Sequence, residues 1–442
     1  MMLNNIVKKL VKNGMDDVVL TFSEQESSQL KFSDSKIVKT GTEFIENLSI
    51  FVAKDKKIAV TSIRDISPEA IEKAIIDISN FVKNLKPNKN YFGINEKKYK
   101  YNEIEDSYDK RIPLLGEKTV DIVKESVGIA ESNGIKRCAG VLETYNNKVN
   151  LATSNGIEAS DNATQIYLSF RSLISKSASG HKVACARTLK DFDYKKAAEK
   201  SSMIAKDSLK QMKAPYGKYD VLFDPLPFAD LLNSVGEASS IFSVEAGLSF
   251  LSDKLNKKIS SSIFALSDNG LYPGGYHSFK FDNEGVPTME TKIINKGILK
   301  NYLHNTSSAR RYKTKTTANA GLISPEPHNL IVEGGDYSED ELISSVKEGI
   351  YITNTWYTRF QSYLEGNFST IPRDGIFYIK NGKIKYAIKG IRVSENILNI
   401  LKNIKSLGKK REQIISWSVS IPVILPPILV KEVNITKPLE QK

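Results

Sequence analysis

An acidic turn, Asp282-Asn-Glu-Gly285, carries the residues of this chain whose types and spacing best suit chemistry. The two carboxyl groups of Asp282 and Glu284 could act as a general acid and base if they faced a pocket. On a turn of this composition, the same carboxylates could instead accept backbone N–H groups and only shape the loop. The sequence leaves both hypotheses open.

The histidines of the chain cannot build a helix-borne zinc site. Such a site, of the H-E-x-x-H type, needs two imidazoles on one helix face and a carboxylate that activates water. No histidine is followed by glutamate, and no two lie within one or two helical turns of each other; the four are His181, His277, His304 and His328. For His277 and His304, which flank the acidic turn, we favour loop-end histidines bonded to backbone over contacts with a substrate or partner.

Other catalytic groupings are weaker still. Ser33-Asp-Ser-Lys36 matches S-x-x-K, but it falls on a predicted strand or turn of a serine- and lysine-rich chain, where a chance match is expected. Cys185 follows His181 by four residues and lacks the third, orienting group that an activated thiolate requires. Neither a G-x-S-x-G elbow nor a phosphate-binding P-loop is present.

The elements that must position the acidic turn are helices and strands mixed without strict βαβ alternation, which predicts an α+β fold. Ala214-Pro-Tyr-Gly-Lys breaks an alanine-rich helix predicted over Lys195–Lys213. We place the domain boundary there. The prediction is an N-terminal two-layer α/β domain of residues 1–213, followed by a strand-rich mixed α+β domain of residues 214–442.

Local patterns predict several elements in more detail. In the N-terminal half, Val18–Ser28 and Gln29–Lys39 alternate as two strands. In the C-terminal half, Leu226–Leu248 is a helix of small residues, and a hairpin turn at Asn295-Lys-Gly joins strands at Met289–Ile294 and Ile298–Leu303.

The longest apolar run of the chain, Val419–Val430, bears on a membrane location. It is too short to span a bilayer of about 30 Å as a helix. Its three prolines also exclude a regular helix. We therefore predict a buried edge or terminal strand with a Pro-Pro bend, and no membrane location.

Composition narrows the class of protein. The 442 residues are enough to bury two sizeable cores, with 40% hydrophobic and 26% charged residues, as in soluble globular proteins. The two cysteines are far apart and form no disulfide framework, which favours the reducing cytoplasm. The net charge of +12 comes from scattered lysines without interleaved aromatic residues. We therefore favour a solvated lysine-rich surface over a nucleic-acid site.

Residues 279–311 resemble the hallmark segment of the TldD/PmbA family, in which an FDDEGxP loop precedes xGxLKxYLHxxxSAR. Phe281–Pro287 matches the first block and Gly297–Arg310 the second. Further blocks in the same order, at residues 149–156, 366–369 and 375–382, extend the resemblance over nearly the whole chain. Asn283, Asn367 and Ala318 depart from the family pattern, which affects loop contacts and not the expected fold.

The resemblance also implies which branch of the family the chain belongs to. The metal-binding branch carries H-E-x-x-x-H on the helix after the first strand of the C-terminal half. With the chains matched on a Leu-Leu pair, these ligand positions fall at Asn233, Ser234 and Ala238. The cysteine ligand expected near the C-terminus is also missing, since residues 411–422 contain none. We expect no catalytic residue and no metal in this chain, as in the PmbA (TldE) branch. Glu237 and Glu245 then only solvate a helix face.

The family's biology gives the expected partners. The chain would form a heterodimer with a TldD-like subunit that supplies the zinc, and would line half of a chamber that degrades or trims unfolded peptides. Alone it would be inactive, and a homodimer in isolation is compatible with the resemblance. Substrate or partner contacts are expected at Asp282, Glu284, Gly285, Tyr302, His304 and Arg310. The alternatives are an autonomous regulatory module of the gyrase-modulator type and an independent peptidase that uses Asp282 and Glu284.

Overall fold

The computed structural model describes residues 2–437 as a mixture of helices and strands, which confirms the predicted α+β class. The helices are α1 Met2–Lys12, α2 Pro68–Lys83, α3 Lys118–Ser132, α4 Tyr194–Asp207, α5 Pro225–Ser239, α6 Ile241–Glu245, α7 Thr306–Arg311, α8 Glu339–Ser344 and α9 Ile397–Lys402. The first eleven strands are β1 Asp17–Ser33, β2 Lys36–Lys54, β3 Lys57–Ile63, β4 Arg137–Thr153, β5 Glu158–Leu173, β6 Ser179–Ala186, β7 Met212–Lys213, β8 Gly217–Phe223, β9 Leu266–Asn269, β10 Glu290–Asn295 and β11 Ile298–Leu299. The others are β12 Leu330–Val332, β13 Glu348–Ile352, β14 Thr355–Ser362, β15 Asn367–Pro372, β16 Ile376–Lys380, β17 Lys383–Lys389, β18 Arg392–Asn396, β19 Ile404–Leu407, β20 Glu412–Ser416, β21 Val419–Leu425 and β22 Ile428–Thr436.

The N-terminal half is one antiparallel sheet of six strands in the order β3-β2-β1-β4-β5-β6. Its centre consists of two long hairpins, β1–β2 and β4–β5. The predicted division of the first hairpin near Ser28 is wrong, because β1 continues to Ser33 and buries Leu30 and Phe32 near its end. The chain turns only at Asp34 and Ser35, both in the left-handed region (φ 49° and 61°), as a two-residue hairpin turn requires.

One part of this sheet has a free edge. β3 pairs with β2 only over Leu48–Lys54, so within residues 2–437 the segment Lys36–Glu46 has a neighbouring strand, β1, on one side only. We call residues 36–46 the open edge. Its side chains are exposed or half-buried throughout.

The C-terminal half has two sheets that enclose a helix. The smaller runs β11-β10-β9-β12-β21-β20, and the larger runs β14-β15-β18-β22-β8-β13-β16-β17-β7, with β19 paired to β22. α5 contacts strands of both sheets, and its side chains are buried except at Ser234 and Glu237. The predicted domain boundary at residue 214 lies between β7 and β8 and stays a prediction.

Three predicted elements are corrected by the structure. The helix predicted to reach Lys213 ends at Asp207, and Lys210 has a left-handed backbone (φ 58°). The helix predicted over Leu226–Leu248 is two helices, because Ser240 between α5 and α6 is extended (ψ 128°). The strand predicted over Ile298–Leu303 ends at Leu299.

The apolar run at Val419–Val430 is a fourth correction, since it is neither an edge nor a single strand. β21 lies between β12 and β20 in the smaller sheet, whereas β22 lies between β18 and β8 in the larger one. Pro426-Pro427 carries the chain from one sheet to the other. No helix within residues 2–437 is long and apolar enough to cross a membrane.

Candidate functional site

Asp282 organises the acidic turn through its own backbone. Its Oδ1 accepts hydrogen bonds from the N–H groups of Glu284 (2.9 Å) and Val286 (3.0 Å), and its Oδ2 accepts one from Ala320 (3.0 Å). Gly285 allows the turn to close with a φ of 74°. Burial raises the pKa of Asp282 to about 6. Both oxygens are occupied, which favours the loop-shaping role over acid–base chemistry for this carboxyl.

Glu284 has the more strongly raised pKa of the two carboxyl groups. Its side chain is buried, and Oε2 accepts a hydrogen bond from the backbone N–H of Thr306 at 3.3 Å. Burial, and next the neighbouring Asp282, raise the pKa of Glu284 to about 8. At neutral pH this side chain is therefore mostly a neutral carboxylic acid, which can donate a hydrogen bond as well as accept one.

Glu284 lines a cavity of about 170 Å³ between the two halves of the chain. We call it the Glu284 cavity. Both halves contribute apolar and polar side chains to its lining; they include Val19, Phe51, Asn90, Tyr91, Ile94, Phe242, Glu245, Asn305, Ser308, Arg311 and Leu322. A cavity of this size accommodates one side chain or a small molecule.

The wall of the Glu284 cavity is held by the loop of residues 86–101. Phe92 N–H donates to Ser307 Oγ at 2.9 Å, and the Phe92 carbonyl accepts from Arg310 at 2.8 Å. Tyr101 Oη donates to the carbonyl of Gly285 at 2.8 Å. Of the predicted contact residues, Arg310 and Gly285 thus bind this loop. Arg311, which was not predicted, forms an ion pair with Glu245 at the cavity.

His304 and Tyr302 are buried and bonded within the chain. The ring Nδ1 of His304 lies 3.2 Å from Ser308 Oγ, and burial lowers the pKa of His304 to about 4, so the ring is neutral at pH 7. Tyr302 Oη donates to the carbonyl of Leu251 at 2.6 Å. His277 is half-buried, and its backbone N–H donates to Asn329 Oδ1 at 2.9 Å. The structure therefore brings together Asp282, Glu284 and Gly285, whereas Tyr302 joins its segment to Leu251.

The positions where the resemblance places metal ligands are occupied by unsuitable groups. The Asn233 amide joins α5 to β21: its Nδ2 donates to the Ile421 carbonyl at 2.8 Å, and its Oδ1 accepts from the Ile421 N–H at 2.9 Å. Ala238 is buried in the core and Ser234 is half-buried. Throughout residues 2–437, no three His, Cys, Asp or Glu side chains lie close enough together to hold a metal ion. These residues do not fit zinc.

Sequence analysis missed a Ser–His–Asn arrangement. His181 Nε2 lies 2.9 Å from Ser169 Oγ, and Nδ1 lies 3.2 Å from Asn354 Nδ2. Asn354 Oδ1 accepts from the Thr355 N–H, so its Nδ2 faces the histidine as a donor and Nδ1 must accept. The ring proton then lies on Nε2 and points at Ser169. This tautomer cannot remove the Ser169 proton, so the arrangement is not a catalytic triad.

Burial also rules out an activated thiol at Cys185. Burial raises the pKa of Cys185 to about 12, so the nucleophilic thiolate is not populated at neutral pH. Its Sγ lies 3.3 Å from the Gln413 carbonyl, a group that cannot take up a proton. Cys185 is therefore a packing residue.

Comparison with known proteins places this fold among metallopeptidase-like proteins. Residues 216–437, half of the chain, match the PmbA/TldA metallopeptidase C-terminal domain. The chain belongs to the PmbA/TldD family.

Relatives extend the likeness to both halves. A metalloprotease of Methanocaldococcus jannaschii is 27% identical over 452 residues, covering 95% of this chain and 96% of that protein. A metalloprotease PmbA homologue of Buchnera aphidicola is 30% identical over 232 residues, half of each chain. Two solved structures share the fold: TldE of Thermococcus kodakarensis (TM-score 0.88, 17% identity, 99% and 100% of the two chains) and a proposed modulator of a DNA gyrase from Thermotoga maritima (0.86, 23%, 98% and 99%).

Proposed function

We propose that this chain is the non-metal, TldE/PmbA-like subunit of a two-subunit metallopeptidase that degrades or processes unfolded peptides. The observation that carries the proposal is the state of Asn233. Its amide is fully used in joining α5 to β21, at the position where the metal-binding branch has its first histidine. The zinc and its activated water then come from a TldD-like partner.

The likeness to TldE of Thermococcus kodakarensis supports this proposal, because it covers nearly the whole of both chains. The names of the relatives support the peptidase connection, since several are called metalloproteases.

An exposed aromatic surface supplies a place for an extended peptide. β14 is the outermost strand of the larger sheet, so its outer backbone groups are free to pair with an added strand. Beside it Trp356, Tyr357 and Trp417 pack edge to face, with ring centroids 5.8–6.4 Å apart. Tyr357 and Trp417 are 50% and 62% exposed. We call β14 together with Trp417 the aromatic edge, and propose that it contacts the peptide.

The test is a cleavage assay with an unstructured peptide. This chain is assayed alone, mixed with an H-E-x-x-x-H sister from the same cell, and mixed in the presence of a chelator. We expect cleavage only in the mixture without chelator. Equal cleavage by this chain alone would contradict the proposal and direct attention to Glu284. Salt-sensitive DNA binding without any effect on the sister would favour the regulatory alternative.

A further inference from the structure

The open edge, residues 36–46 of β2, is unusual for a soluble protein. Long exposed edge strands invite pairing with another chain, and proteins normally shorten, cover or interrupt them. Here the edge contains no proline, and its apolar residues Val38 and Phe44 are both 62% exposed. Its only irregularity is a bulge at Val38, where Phe32 of β1 pairs with Ile37 and Lys31 pairs with Lys39.

The sequence of the open edge is complementary to its own reverse. It runs Lys-Ile-Val-Lys-Thr-Gly-Thr-Glu-Phe-Ile-Glu from Lys36 to Glu46. If two copies run antiparallel about a two-fold axis at Gly41, residues equally distant from the axis face each other. Threonine then meets threonine and charges meet opposite charges in the regular part of the strand, in the pairs Thr40–Thr42 and Lys39–Glu43, and the bulged residue Val38 comes opposite Phe44. The bulge reverses the alternation of the strand before Val38, so Ile37 and Lys36 do not directly oppose Ile45 and Glu46.

Few other alignments are available to two identical antiparallel strands. Directly opposed residues must both point their backbone groups toward the partner strand or both away from it, so the axis must pass through a residue. An axis at Thr40 would oppose Lys39 to Gly41 and leave the charge of Lys39 unmatched. An axis at Thr42 would oppose Lys39 to Ile45. Only the axis at Gly41 matches both the charges and the apolar residues.

Neither the backbone conformation nor the surroundings of Gly41 within one copy of the chain require glycine at this position. Its backbone is not in the left-handed region that favours glycine, and a Cβ added there would meet no other atom within 4 Å. Glycine weakens a strand interior, and it often marks a position where another backbone approaches closely. At the proposed axis, that other backbone is Gly41 of the second copy.

We propose that the open edges of two copies of this chain pair antiparallel about a two-fold axis at Gly41. The two six-stranded sheets then form one continuous sheet across the interface. Such an interface is isologous, so each pair of side chains occurs twice. Two charges per strand, those of Lys39 and Glu43, are matched across the interface. The proposal does not rest on the proposed function, because its tests need no sister subunit.

Charge exchange at one pair tests the proposal by sedimentation velocity on the full chain. In the Lys39→Glu variant, position 39 of each copy faces Glu43 of the other, so glutamate faces glutamate at two places. In the Glu43→Lys variant, lysine faces lysine at the same two places. We expect a wild-type dimer, and each single variant to be monomeric at concentrations where the wild type is dimeric. An equimolar mixture of the two variants, and the double variant Lys39→Glu/Glu43→Lys, should both regain the dimer.

Lys8→Glu is the matched control, since it makes the same change of charge at an exposed residue of α1, away from the open edge. It should remain dimeric. A wild-type chain that stays monomeric would overturn the proposal. A single variant that stays dimeric would also overturn the proposal. The same holds if the mixture of the two variants stays monomeric although circular dichroism shows that both are folded.

Cross-linking tests the position of the axis. Gly41→Cys should be joined into a covalent dimer by a short bis-maleimide, whereas Lys8→Cys should not. The native thiols do not interfere, because Cys138 and Cys185 are buried. A wild-type dimer that gives no cross-link through Gly41→Cys would place the interface elsewhere and overturn the proposal.

Discussion

Lys182 and Asp224 join the two halves of the chain through a buried ion pair. Lys182 Nζ lies 2.6 Å from Asp224 Oδ2, and the two side chains are 4% and 2% exposed. Lys182 belongs to the N-terminal sheet, whereas Asp224 precedes α5. Glu412 of β20 lies 3.2 Å from the same Nζ, and Lys182 holds the pKa of Glu412 well below its usual range. The ammonium group of Lys182 thus connects β6 of the N-terminal half to the start of α5 and to β20 of the C-terminal half.

The first prediction concerns this ion pair. Lys182→Met leaves Asp224 and Glu412 without their buried partner, and removing one member of a buried pair costs about 3–5 kcal/mol. We expect a large fall in the thermal unfolding temperature of the full chain. Lys73→Met is the control, because it breaks an exposed pair with Asp77 and should leave that temperature unchanged. Equal effects of the two substitutions would contradict the structural role of Lys182.

The second prediction concerns pH and Glu284. The pKa of Glu284 rises from 4.5 to about 8 on burial, so the folded state prefers the protonated form. This contribution to stability is fully present below pH 4.5 and is lost as pH rises through 8. We expect the unfolding temperature of Glu284→Gln to fall less than that of the wild type between pH 5 and 8. Parallel profiles for the two proteins would show that Glu284 ionises normally.

The third prediction concerns Asn233. Asn233→Ala leaves the N–H and the carbonyl of Ile421 buried without partners, and each unsatisfied group costs about 1–3 kcal/mol. Thermal unfolding should show a clear loss of stability. The neighbouring Ser234→Ala serves as a control at the adjacent helix position, with little change expected because Ser234 is half-buried. A stable Asn233→Ala would remove the observation on which the proposed function rests.

The fourth prediction concerns the aromatic edge. In the mixture with the zinc-binding sister, Trp417→Ala should raise the KM for an unstructured peptide severalfold, because peptide contact area is lost. The unfolding temperature should change little, since the Trp417 side chain is 62% exposed. Phe81→Ala, an equally exposed aromatic residue on α2, should leave KM unchanged. Identical KM values for the two variants would place peptide binding on another surface.

Local patterns located the acidic turn, because a turn is determined by residues close in sequence, but they left open whether its carboxyl groups bind backbone or act as acid and base. The Asp-Asn-Glu-Gly composition suggested that carboxylates would bind backbone, and Asp282 does so with both oxygens. The Glu284 cavity could not be predicted. Its walls come from residues more than two hundred positions apart, such as Tyr91 and Ser307, and no periodicity marks such contacts.

Lysines show a second limit of sequence analysis. The chain's many scattered lysines predicted a solvated surface, yet Lys182 is almost completely buried. Its sequence neighbours carry no signal of this, since the compensating carboxylates are at positions 224 and 412. Only the topology, which brings β6 beside β20 and the start of α5, makes a buried lysine tolerable.

The Pro426-Pro427 bend between β21 and β22 has a consequence for synthesis of the chain. Both strands occupy interior positions, one in each sheet of the C-terminal half, and each follows in the chain every strand with which it pairs. Until they emerge, each sheet lacks an inner member, and the apolar surface around α5 has no complete cover. The N-terminal sheet needs no later strand, so it can form first on the ribosome, whereas the two sheets of the C-terminal half are completed only when β21 and β22 have emerged.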